Sequence, residues 1–375
     1  MANIFDYLEW RADVPFSADP FNEVDNLILA ELAYTDFTGI VAPDGTETTL
    51  ADACRMFFET HSKEEILTRR SYTARSPLLM EGMASGARFR GLLLSRYEQE
   101  TDSDEEIQFS AVTFRFPGEL LYVAFRGTDG TLVGWKEDFN FTFLPETEGQ
   151  SRAARYLNEA GQGTHEPIIV GGHSKGGNFA VYAASCAPES IRERILGVYS
   201  NDGPGFREEV LQSEGYRSIL PKAVCIVPDT AIIGRLLSSD IPYRVVGSDA
   251  SGIVQHDGFS WQVKRNRFVD AEPSASGELI GKTLGSWLAT MSDETRRSVV
   301  DTVFGLFESS GAESFGEMGE HKWRSMETIV LGLRELPKEK QQELLTLLKV
   351  LGQTSGHTAV DYLASRYGGN KKTPE

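Results

Sequence analysis

Residues 168–184 read IIVGGHSKGGNFAVYAA, and this stretch restricts the possible folds more tightly than any other in the chain. Ile168, Ile169 and Val170 form an apolar run short enough for a buried strand, while Phe179, Ala180, Tyr182, Ala183 and Ala184 suit a packed helix. Ser174 falls on the turn between them. A strand that bends sharply into a helix strains the turning residue, and only small neighbours leave it room. Gly172 and Gly176 provide that room in a G-x-S-x-G spacing, so Ser174 is expected to stand exposed at the top of a sheet, beside the free N–H groups of a helix N-terminus. The spacing alone would arise by chance in roughly one chain in ten of this length. Its position between a strand and a helix is what gives it weight.

The order of the remaining elements agrees with such a sheet. The first ninety residues look mainly helical. Asp19 and Pro20 read as a helix start for EVDNLILAELAY, and residues 51–60 and 77–86 read as shorter helices. From about residue 88 the pattern changes to strands in RFRGLLLSRYEQ, FSAVTFRF and LLYVAFRG, with the acidic run TDSDEE at 101–106 as a solvated hairpin loop. After that the chain alternates: helix near 150–160, strand 168–172, helix 175–187, strands 195–200 and 223–228, helix 230–237, strand 243–247. Such alternation predicts an α/β fold with a mostly parallel sheet flanked by helices and a site beyond the carboxyl ends of the strands. A change of composition at 270–278, DAEPSASGE, suggests a domain of residues 1–270 followed by a helical C-terminal appendage of residues 271–375.

Composition narrows the partners. The formal net charge is −18, which repels phosphate backbones and anionic headgroups, so no nucleic acid partner is expected. Cys54, Cys186 and Cys225 are scattered without a CxxC pair, which predicts reduced thiols rather than a disulfide framework or a zinc site. The N-terminus lacks a basic segment followed by an apolar core, and no run approaches the ~18 apolar residues of a membrane span. A soluble, cytoplasmic protein with no integral membrane segment is expected. GELIGKTL at 277–284 ends like a phosphate loop, but Gly277 precedes Gly281 by one residue too few and no strand leads into it. HExxH, EF-hand and GxGxxG patterns are missing as well, so neither a metal nor another cofactor is expected. The oligomeric state is open.

A serine hydroxyl is a weak nucleophile until a histidine takes its proton, and that histidine needs an acid to orient it. Of the six histidines, only His256 follows the core strands, on a loop in GIVQHDGFSWQV. Asp229, just past the apolar strand in VCIVPDTAIIGRLL, is the preferred acid, because it completes the order Ser, Asp, His expected of an α/β-hydrolase. Asp202 in YSNDGPGF is the alternative, and otherwise reads as an ordinary Asp-Gly turn residue. An oxyanion intermediate needs two aimed donors. One is the backbone N–H of Lys175, after the nucleophile; the other would come from Thr128, on the loop that ends LLYVAFRGTDG. The Lys175 side chain is expected to point into water, with two alternatives: pairing with an acid such as Asp202, or drawing a negatively charged substrate or adding to oxyanion stabilisation.

VAFRGTD followed by Trp135, then GGHSKGG, VPDTAIIGRL and QHDGF resembles the class 3 lipase-like branch of the α/β-hydrolases, and more closely a bacterial group within it. The resemblance covers roughly residues 20–270. It implies acyl-ester hydrolysis and assigns the oxyanion hole to Thr128, the nucleophile to Ser174, and the remaining triad members to Asp229 and His256. The Asp-Trp pair common after the oxyanion loop in that branch is replaced here by Gly134-Trp135, with Asp138 further on. The implied substrate is a small-molecule or lipid acyl ester. Two other functions fit the same residues: a catalytically silent binding or scaffold protein, and an acyltransferase in which an alcohol or amine replaces water.

Overall fold

The computed structural model describes residues 1–68, 72–129, 131–162, 164–231, 233–274 and 291–308. Strands that are apolar at nearly every position can be buried on both faces, and such strands build the centre of the fold. Among the described residues the main sheet has eight strands in sequence order: β1 (Thr48–Thr49), β2 (Leu93–Asp102), β3 (Ile107–Phe116), β4 (Leu120–Phe125), β5 (Ile168–His173), β6 (Ile195–Asn201), β7 (Ala223–Pro228) and β8 (Tyr243–Val246). Neighbours from β1 to β4 pair antiparallel, and those from β4 to β8 pair parallel. TDSDEE spans the end of β2 and the loop before β3, as the hairpin reading predicts.

The two-residue period of a strand sends alternate side chains to opposite faces. On β4, Tyr122 and Ala124 enter a core shared with the helices Ile4–Arg11, Glu23–Leu32, Leu50–Thr60 and Leu79–Ser85. Leu121, Val123 and Phe125 enter the opposite core, under the helices Glu148–Gly161 and Lys175–Cys186. Parallel strands flanked by helices on both faces, with a sharp strand-to-helix turn after β5, constitute an α/β-hydrolase fold. The chain divides into two compact units, Met1–Thr290 and Met291–Glu375. The described part of the second contains the helix Asp293–Glu308, which coincides with the apolar stripe of ETRRSVVDTVFGLFE. The other helices expected in the appendage, and residues 275–290, lie outside the described residues.

Two local expectations are corrected. The helix expected from Asp19 and Pro20 begins at Glu23, capped by Asn22, whose Oδ1 accepts from Val24 N at 2.9 Å while Asp25 Oδ2 accepts from Asn22 N at 2.9 Å. The buried Arg88 guanidinium draws the preceding backbone away, donating to Asp19 O at 2.9 Å and Pro20 O at 3.1 Å, and it pairs with the buried Asp25. The helix expected at 230–237 is reduced to a single 3₁₀ turn, Ile233–Arg235. Its backbone donors are taken elsewhere: Thr230 N binds Gln255 Oε1 at 3.0 Å and Gly234 N binds Asp202 Oδ1 at 3.1 Å.

Candidate active site

β5 runs into the helix Lys175–Cys186 through Ser174, whose backbone lies at φ +57°, ψ −131°. That is a strained setting for a residue with a side chain, and it persists only where the surroundings enforce it. They do so here by close contact. A Cβ on Gly172 would lie 2.3 Å from the Gly176 carbonyl, and one on Gly176 would lie 2.0 Å from Phe125 O at the end of β4. The elbow is therefore wedged against the strand that leads into the 126–129 loop. Ser174 N donates to Asn201 O on β6 at 2.9 Å, which ties the turn to its other neighbouring strand.

The 126–129 loop reaches the elbow directly. Gly127 abuts it so closely that an added Cβ would lie 2.5 Å from His173 O and 2.9 Å from Ser174 Cβ. Next to it, the Thr128 hydroxyl donates to Asp138 Oδ2 at 2.6 Å. Asp138 comes from the helix Leu132–Asn140, so the carboxylate that supports the loop is supplied one helical turn beyond Gly134-Trp135. Burial pushes the Asp138 carboxyl up to about 6, a rise opposed by the Lys175 charge and by the Thr128 hydrogen bond.

His256 ends the 3₁₀ turn Gly252–His256, and its Nδ1 lies 2.6 Å from Asp202 Oδ2. Asp202 follows β6 at φ +50°, a left-handed conformation that Asp tolerates better than most residues. Its own N–H binds Ile226 O at 2.7 Å and its Oδ1 accepts from Gly234 N, so the carboxylate is fixed as well as buried. The carboxylate bonded to His256 is thus that of Asp202, where Asp229 was expected. Asp229 makes no hydrogen bond to His256 among the described residues. Its carbonyl accepts from Ser274 N at 3.1 Å, and its buried Oδ1 is without a partner. The loop after β7 acts on His256 indirectly, because Thr230 binds Gln255 and Gly252, and Trp261 Nε1 donates to Gln255 O at 2.8 Å.

Two sequence readings of the elbow region need revision. Lys175 does not point into water: its side chain is fully buried, with Nζ 2.8 Å from Glu137 Oε2, 2.8 Å from Gln108 O and 2.7 Å from Gln108 Oε1. The same Glu137 carboxylate accepts from Gln108 N at 3.1 Å, Gly149 N at 3.0 Å and Thr147 Oγ1 at 3.3 Å. His173, read only as part of the motif, is also buried and bonded at both ring nitrogens. Tyr34 Oη lies 3.0 Å from its Nδ1, and His256 O lies 2.7 Å from its Nε2. The rings of His173 and His256 sit 4.6 Å apart between centroids, which places His256 beside the elbow.

Among the described residues, no cluster of His, Cys, Asp and Glu has the arrangement of a metal site, and no helix is long and apolar enough to cross a membrane.

A comparison with curated proteins finds no match. Among solved structures, native Rhizomucor miehei lipase in its propeptide complex is 15% identical with a TM-score of 0.34, covering 54% of this chain and 70% of that one. M37 lipase is 10% identical with a TM-score of 0.35, covering 71% and 79%, and a fungal lipase–inhibitor complex is 16% identical with a TM-score of 0.31, covering 54% and 81%. The profile of the Mbeg1-like family matches residues 83–305, more than half of the sequence and all of the elbow, acid and histidine loops, and the chain belongs to the Mbeg1-like family.

Proposed function

We propose that the protein is a serine hydrolase of acyl esters in the lipase-like manner, acting through Ser174, His256 and Asp202. The observation that carries this reading is the 2.6 Å bond between Asp202 Oδ2 and His256 Nδ1 beside a strained Ser174 elbow. Asp202 accepts the Nδ1 proton, which leaves the Nε2 lone pair of His256 as the base for the Ser174 hydroxyl. Ser174 Oγ attacks the acyl carbonyl, and the proton it loses moves to His256 Nε2 and then to the leaving alcohol. Water repeats the sequence on the acyl-enzyme, restoring Ser174 and releasing the acid.

The backbone N–H groups of Lys175 and Thr128 stabilise the oxyanion. The Thr128 hydroxyl has a single proton, and it donates that proton to Asp138 when Asp138 is ionised. A protonated Asp138 frees the hydroxyl to turn toward substrate. Because the Lys175 ammonium is sealed against Glu137, its role is to hold the elbow helix to β3 and to the helix Leu132–Asn140 rather than to attract an anionic substrate.

The test is intact-mass detection of a fluorophosphonate adduct on wild type, Ser174→Ala, His256→Ala and Asp202→Asn. One adduct on wild type, none on Ser174→Ala and a greatly slowed reaction on the other two is the expected result. A folded wild-type protein that takes no adduct sinks the proposal and leaves a binding role on a silent hydrolase fold.

A further inference from the structure

The hydrogen bonds of His173 have only one consistent direction. A carbonyl oxygen can only accept, so Nε2, at 2.7 Å from His256 O, must carry the ring proton. Burial holds the imidazole neutral by driving its pKa well below the usual histidine value, with the nearby His256 acting in the same sense. Nδ1 is therefore a bare acceptor, and Tyr34 must donate its hydroxyl proton to it across 3.0 Å. The oxygen of Tyr34 in turn lies against the 126–129 loop: a Cβ on Gly127 would sit 2.2 Å from it, and the Gly127 amide faces it as a hydrogen-bond donor.

We propose that Tyr34 and His173 form a positioning relay that fixes the oxyanion loop at Gly127 and the base loop at His256 in register with each other across the Ser174 elbow. The inference rests on the hydrolase reading above, since a register matters only if both loops act on one substrate. Neither residue touches substrate or takes a proton in the reaction. Tyr34 comes from just beyond the helix Glu23–Leu32, which packs beneath β5, so the N-terminal helical segment is part of the site's support rather than a lid over it. The buried Glu31, one turn before Tyr34, lies 3.7 Å from His173 Nδ1, and burial raises its carboxyl well above the usual range. Burial thus favours the uncharged form of both groups.

The relay has two arms that substitutions can cut separately. Asn at 173 places an amide near the Nδ1 position and keeps the Tyr34 arm; Gln reaches the Nε2 position and keeps the His256 arm. Tyr34→Phe removes the hydroxyl but leaves the ring in place. For Tyr34→Phe, ester turnover measured well below the unfolding temperature should lose roughly 10-fold or more in kcat, with KM changed by less than about twofold. His173→Asn should lose roughly 100-fold, the scale expected of a misplacement near 1 Å. Since Tyr34→Phe and His173→Gln cut the same arm, the double variant should be no slower than the slower single variant.

Nitrogen-15 shifts of the His173 ring in wild type give a readout independent of turnover: Nε2 protonated and Nδ1 bare is expected. A protonated Nδ1, a Tyr34→Phe variant with full turnover, or additive losses in the double variant overturns the relay alone. An inert wild type that shows the expected tautomer overturns the hydrolase reading, and the positioning role with it.

Discussion

Replacing Lys175 with Met would give the sharpest physical test of how the elbow is anchored. The substitution keeps most of the side-chain volume and removes one charge, so packing changes little and electrostatics carry the effect. The lost ammonium makes three contacts, to Glu137 Oε2, Gln108 O and Gln108 Oε1, all at 2.7–2.8 Å and all shielded from water. Removing one partner of a buried pair leaves the other charged and poorly solvated, which costs about 3–5 kcal/mol. Three hydrogen bonds to Glu137 survive, from Gln108 N, Gly149 N and Thr147 Oγ1, which argues for the lower half of that range. For a unit of this size the loss corresponds to a drop in Tm of about 5–7 °C. Scanning calorimetry and urea unfolding on wild type, Lys175→Met, Glu137→Gln and the double variant would measure it. The double variant should recover at least about 1.5 kcal/mol relative to the sum of the single losses, because neither partner is then left charged alone. A Lys175→Met protein that unfolds within 2 °C of wild type would refute the reasoning, since it would mean that the ammonium reaches water.

Three further outcomes follow from the site. Asp202→Asn should lower kcat by about 10⁴-fold, by leaving His256 in the wrong tautomer, whereas Asp229→Asn should stay within about threefold of wild type; steady-state kinetics on one chromogenic ester separates the two. Asp138 titrates near 6 in the fold, above its unfolded value, so its contribution to stability is fully present below pH 3.8 and is lost as pH rises through about 6. Asp138→Asn should accordingly gain on wild type by about 2.4 kcal/mol between pH 4 and pH 7 in urea titrations, and equal curves at the two pH values would refute the shift. Gly127→Ala forces a methyl group into the space of Tyr34 Oη and His173 O, and should abolish fluorophosphonate labelling even where circular dichroism shows a folded chain.

The elbow was readable in the sequence because its constraint is local: Gly172, Ser174 and Gly176 answer to the turn itself, whatever packs around it. The strands from Leu93 to Phe125 were readable for a similar reason, since a two-residue period and apolar runs report burial directly. The carboxylate partner of His256 was not, because both candidates follow an apolar strand and only the lateral spacing of β6 and β7 from β5 decides which carboxylate reaches His256. One clue was available. SNDGPG puts an Asp at the carboxyl end of β6, the strand next to the one that leads into the Ser174 elbow. The burial of Lys175 depended on Glu137, thirty-eight positions earlier on a helix that was not expected at all. Neither side chain carries a local mark of its partner. The same limit applied to the 3₁₀ turn at Ile233–Arg235, where helical residues surrendered their N–H groups to Gln255 and Asp202.

The sequential order of the sheet has a consequence for the time course of synthesis. Each new strand finds its partner in the strand made just before it, so β1 through β8 can be added one by one as the chain emerges. The contacts that finish the site run the other way, from the last segment back to the first. Phe268 N donates to Glu23 Oε1 at 2.7 Å, Arg244 pairs with that same Glu23, and Val263 N donates to Ala2 O at 2.8 Å. An unfinished chain therefore holds the Ser174 elbow long before it holds His256, and on the hydrolase proposal Ser174 stays idle until residues 244–268 return to the helices made at the start. Ribosome-stalled chains ending near residue 240 should bind no fluorophosphonate, while released full-length chains should bind it as soon as the two ends meet.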